Sequence, residues 1–174
     1  MGEGTIRRER PLEHSHCYRI PCAERLYFFA LRLSVLPAFW VRARLTSLVA
    51  GKRIPLSDVL ARYFRDVELP RIQRKLGIEG QDDAIAAVKV LTYLHTLSGV
   101  IGQIIEMTPQ RCVRLESRCP LSGVFSRHFC QCVLSYPTFT AIGTAIHPDL
   151  IHRHETYLSA GDEGCTLVFE QGAS

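Results

Sequence analysis

The apolar residues of this chain change their spacing near Thr108. Upstream they recur every three or four residues, as one face of a helix requires. Downstream they alternate, as a strand with one buried side requires. A chain with helices first and strands after must lay the helices against a sheet, which predicts an α+β fold. The expected architecture is a helical N-terminal half packed on a small antiparallel sheet formed by the C-terminal half. A polar arm is expected over residues 1–20 and a single α+β domain over 21–174. Its helices fall within 22–104, and its sheet and Cys/His-rich site within 105–170.

In the helical half, Leu26, Phe29, Ala30 and Leu33 make a first stripe, which Pro37 should end or kink because proline removes a backbone donor. A second helical segment, "AFWVRARLTSLVAG", holds Trp40 and stops at Gly51. Ser57 offers a helix cap with Asp58 at the positive helix end. Leu60, Tyr63, Phe64 and Val67 form the next stripe, Pro70 should kink it, and Gly77 should stop it. The most regular helical pattern is "IEGQDDAIAAVKVLTYLHTLSGVIGQII". Asp82 or Asp83 caps it, and Ala84, Val88, Leu91, Tyr93 and Leu94 make its apolar surface. His95 within it reads as a satisfied structural histidine.

Strands are expected at 110–118, 150–158 and 165–170. The first sets Val113 and Leu115 against Arg114 and Glu116. The second sets His152, His154 and Thr156 against Ile151, Arg153 and Tyr157; the third puts Cys165, Leu167 and Phe169 on one face. "AGDEG" is turn chemistry and would join the last two strands as an antiparallel hairpin. A helical or irregular crossover, punctuated by Pro137, fills the span from Pro120 to Pro148.

Composition excludes some functions. A chain of 174 residues can bury a full core without metal or disulfides. Residues 1–80 carry 15 Lys and Arg against 8 Asp and Glu, and residues 81–174 carry 6 against 9. The basic residues are interleaved with apolar helix positions, so the pattern is a solvated face and nucleic acid is disfavoured as a partner. The run from Leu26 to Val41 is 16 residues and is interrupted by Arg32, Ser34 and Pro37, too short for a membrane span. "MGEGTIRRER" lacks an apolar signal region, and Ile6 stands where myristoylation wants Ser or Thr. The seven cysteines read as reduced thiols of a cytoplasmic protein. Oligomeric state is left open, a homo-oligomer included.

Chemistry-bearing residues concentrate late. Cys119, Cys130, Cys132 and Cys165 lie in one stretch with His128, His147, His152 and His154. Zinc or another divalent metal needs about four Cys, His or carboxylate ligands, and Cys119, Cys130 or Cys132, His152 or His154, and Cys165 are of the right types. The alternative is a thiolate nucleophile near a histidine, with Asp162 orienting a base or activating water. The third alternative is that these cysteines are small core residues. In the loose arm, His14, His16, Cys17 and Cys22 match no common finger spacing.

The order "EMTPQRCVRLESRCP", a Cys-x-Cys element, "AIHPDL" and "HETYLSAGDEGCTLVFE" resembles the L-2-amino-thiazoline-4-carboxylic acid hydrolase-like family over roughly residues 55–170. The motifs are Cys119-Pro120, Cys130 and Gly161-Asp162-Glu163-Gly164-Cys165. The closing strand is also similar to 4-vinyl-reductase-type ligand-binding domains, whose zinc ligands include cysteines and a Glu; His154 and Tyr157 stand here where a Glu and a Cys would fall. The first resemblance implies a hydrolase that opens a small cyclic amidine or thiazoline by C–N hydrolysis, with Cys119, Cys130, Asp162, Cys165 and His154 as its catalytic set. The second implies a non-catalytic small-molecule-binding or sensor domain using the same pocket.

Overall fold

The computed structural model describes residues 21–23, 25, 26, 30, 41, 56–120, 122 and 135–172. The expected polar arm, Phe29, Leu33, Trp40 and the "FCQC" element lie outside the described residues. Leu26 and Ala30, assigned to the first stripe, are exposed. Helix α1 spans Leu56–Tyr63, so Ser57 lies inside it and not at its cap. A π-helical turn, Phe64–Glu68, follows, and α2 runs Leu69–Leu76. Pro70 has no N–H to give the preceding turn, and the Leu69 amide reaches back to the Phe64 carbonyl. The wider turn moves the inward position by one residue. Tyr63 and Phe64 are buried as expected, but Val67 is 45% exposed while Glu68 is buried. Glu68 is satisfied there by the Tyr63 hydroxyl at 2.7 Å and by Arg71. Gly77 ends α2 in the left-handed region at φ 63°.

Helix α3 spans Ala84–Leu97, and the Asp83 carboxylate caps it by accepting from the Ala86 amide at 2.8 Å. The expected continuation of this helix to residue 104 is corrected. The chain turns at Gly99, φ 74°, and enters strand β1, Ile101–Met107. Apolar runs as short as "VIGQII" fit either state, and the long-range ladder with the next strand decides this one. Strand β2 is Arg111–Arg118, α4 is Ser135–Ile146, β3 is Leu150–Thr156 and β4 is Cys165–Gln171. Among the described residues the sheet therefore has four strands, in the order β1-β2-β4-β3, with every neighbouring pair antiparallel. Of the expected crossover, residues 135–146 form α4, with Pro137 in its first turn where its missing donor costs nothing.

Helix α3 packs on β1, β2 and β4, and α4 packs on β3. The α1–α2 segment closes against α4 and α3 from behind. One core runs through this arrangement, from Tyr63, Leu69 and Ile72 through Leu91 and Ile142 to Leu167 and Phe169. Among the described residues no helix is long and apolar enough to cross a membrane. On β2 the polar side faces the helices: Arg114 is 3% and Glu116 2% exposed. On the other sheet face, Arg111 and Arg153 flank Glu170, with Arg153 Nη2 2.7 Å from its carboxylate.

Candidate functional site

Register brings the polar residues together. Alternation on β3 turns Leu150 and His152 inward, with His154 following. His152 pairs across the ladder with Phe169, and His154 with Leu167. On the far side of β4, Cys112 pairs with Phe169, Arg114 with Leu167 and Glu116 with Cys165. Directly paired residues share a face. Hence His152, His154, Cys165, Arg114 and Glu116 all lie on the helix-facing side. Thr156, expected beside the histidines, does not. A bulge between His154 and Thr156 turns it to the other face, where its hydroxyl sits 2.9 Å from that of Thr166.

Beneath α3 lies a buried ionic network. His95 Nδ1 is 2.7 Å from Glu116 Oε1, which also accepts from Arg114 Nε. Arg114 further donates to the Thr92 hydroxyl at 3.1 Å. Burial pushes the Glu116 pKa up, but the His95 and Arg114 contacts outweigh it and hold the carboxyl below its usual range. Gly102 makes room for this carboxylate, since a Cβ there would lie 2.6 Å from Glu116 Oε2.

Beneath α4 lies a second group, built of rings. His152 is 1% exposed. Its ring centroid is 4.8 Å from that of His154, 5.0 Å from Phe169 and 5.6 Å from Phe139. Tyr136, from the first turn of α4, lies across the pair at 5.3 Å from His152 and 6.0 Å from His154. Tyr157 flanks His154 at 5.2 Å. All four ring nitrogens of His152 and His154 are sealed from solvent with no hydrogen-bond partner among the described residues. Burial, with smaller contributions from His154 and His95, pushes the His152 pKa down to about 3. Burial likewise pushes His154 down to about 4. Both imidazoles are therefore neutral near neutral pH, each with one N–H and one lone pair to offer.

The residues singled out from the sequence are only partly gathered here. His154 is in the ring group, and Cys165 shares its sheet face. Cys165 Sγ accepts from the Leu158 amide at 3.1 Å. Cys119 lies just past the end of β2, partly exposed, and Cys130 lies outside the described residues. Asp162 is exposed on the β3–β4 turn, where its carboxylate accepts from the Tyr157 amide at 2.7 Å. Among the described residues no group of three or more His, Cys, Asp or Glu side chains is placed to hold a metal ion. Sequence reasoning missed Tyr136, Phe139, Arg114 and Glu116. The charged alternation of Arg114 and Glu116 inside a strand was the available signal for the last two.

No family model matches the chain, and no curated protein matches it. Among solved structures, it is similar to an H-NOX domain from Shewanella oneidensis, determined by NMR in the Fe(II)CO ligation state. The likeness covers 82% of this chain and 78% of that one, at 13% identity and a TM-score of 0.44.

Proposed function

We propose that this domain binds a small organic molecule at the His152–His154 pair and works as a non-catalytic binding or sensor module. One observation carries the reading: four buried imidazole nitrogens have no partner among the described residues. Buried polar groups in folded proteins are ordinarily paired, and leaving one unpaired costs roughly 1–3 kcal/mol. A molecule that pairs them relieves that cost on binding. The surrounding rings supply apolar walls, and a few polar groups within such walls are what a small-molecule site needs.

The alternative implied by the hydrolase-like resemblance needs an activated thiol or water. Asp162 is engaged by a backbone amide on an exposed turn, and the Cys165 sulfur accepts one as well. These contacts favour binding over ring opening. A thermal-shift screen of small polar heterocycles tests the proposal. At least one compound should raise the melting temperature of the native protein and leave that of the His152→Phe/His154→Phe variant unchanged; a screen without any hit removes the reading. L-2-amino-thiazoline-4-carboxylic acid is included as a separate arm. Its conversion to a ring-opened product, lost on Cys165→Ala or Asp162→Ala, would replace binding with hydrolysis.

A further inference from the structure

We propose that the His152–His154 pair receives an uncharged, planar heterocycle carrying a hydrogen-bond donor and an acceptor on one edge, a cyclic amide being the simplest such edge. This rests on the binding reading above and names its ligand class. Each neutral imidazole presents one donor and one acceptor, and neither kind is engaged among the described residues. A partner that satisfies both must itself hold both.

Other chemistries engage only one of the two kinds of group, whereas a cyclic amide edge engages one of each. A metal ion would use the lone pairs alone. Metal-bound histidines ordinarily donate their second nitrogen to a carboxylate or carbonyl, and among the described residues neither ring does so. An anion would use the N–H groups alone, close enough to feel the Glu116 carboxylate that acts on His154. A cation would leave water for a site whose carboxylate, Glu116, is already balanced by Arg114, only its Oε2 lacking a partner among the described residues.

The walls supply the shape. Tyr136, Phe139 and Phe169 stand around His152 at centroid distances of 5.0–5.6 Å, the spacing at which flat rings pack edge to face or offset. Tyr136 is 44% exposed while Phe139 and Phe169 are buried, so it is the ring by which the pair is reached. A flat ligand takes the place that the Tyr136 ring holds over both imidazoles.

The test is histidine-ring nitrogen NMR on the full chain at neutral pH, with 2-pyridone, benzoate and Zn²⁺ added separately. The expected result is that 2-pyridone moves the His152 and His154 signals and binds at least about tenfold more tightly than benzoate, the worth of one added hydrogen bond. The His152→Phe/His154→Phe variant should lose that binding while unfolding as cooperatively as the parent. If benzoate or Zn²⁺ moves those signals and 2-pyridone does not, the ligand class is wrong while the site stands. If no probe moves them, both fall. Binding of 2-pyridone unchanged by the double substitution overturns the proposal as well.

Discussion

His152 illustrates how one residue can serve a site at the expense of the fold. Folded, it stays neutral down to about 3, while the unfolded chain takes up its proton near the ordinary value of 6.5. Between those values the unfolded state holds more protons, so stability falls as pH drops from about 6.5 and levels off below about 3. His154 adds the same trend down to about 4. The groups facing the pair are His95 from α3, Tyr136 from α4, Tyr157 after β3 and, for His154, the Glu116 carboxylate from β2, which pulls the other way. With both histidines contributing, the slope reaches at most about 2.7 kcal/mol per pH unit. The His152→Phe/His154→Phe variant should flatten the profile and be the more stable protein at mildly acidic pH, as urea titrations across pH would read. Glu116 is the opposite case, a charge the fold depends on. Glu116→Gln leaves Arg114 buried without its counter-charge and should cost roughly 3–5 kcal/mol. Glu106→Gln, at a more exposed ion pair with Arg111, should cost under about 1 kcal/mol. Equal losses in the two variants would show that the buried network is not what holds β2.

At the scale of the element, β1 and β2 meet at a glycine. A Cβ on Gly102 would lie 2.5 Å from the Leu115 carbonyl oxygen and 2.9 Å from Glu116 Cα, both backbone atoms that cannot swing away. Gly102→Ala should therefore destabilise by about 1–3 kcal/mol, as overpacking does. It should also disturb the His95 ring signals through Glu116, whereas a drop in melting temperature with unchanged His95 signals would locate the strain elsewhere. How legible the elements were follows the same logic of local against distant causes. Asp83, Gly77 and the β3–β4 hairpin were legible because caps, left-handed stops and turns are written in adjacent residues. Strand β1 was not, because its state is decided by pairing with β2 and not by its own short apolar run. Val67 and Glu68 exchanged places because a π-turn ahead of Pro70 shifts the helical face. The candidate site was half legible. Alternation put His152 and His154 on one side of β3, but only the register with β4 shows that this is the side of Cys165, and only α4 supplies Tyr136 and Phe139.

For the whole molecule, the core crosses from the helices to the sheet without a break, through Tyr63, Leu69, Leu91 and Ile142 to Phe169. The helical and sheet halves should unfold together, with far-ultraviolet dichroism and tyrosine fluorescence reporting one coincident transition. Two separated transitions would divide the chain into independent domains. The inverted polarity of β2 also bears on how this sheet is assembled. Where a strand buries its oily side, hydrophobicity alone rejects a one-residue slip. On β2 such a slip along β4 would turn Arg114 and Glu116 outward together with Cys112, and carry Val113 and Leu115 under α3, so apolar burial alone discriminates poorly. What marks the right alignment is a pair of handshakes with α3, Arg114 with Thr92 and Glu116 with His95. In the folded protein the helix thus serves as the ruler of the sheet: α3 marks the register of β2 through these two contacts.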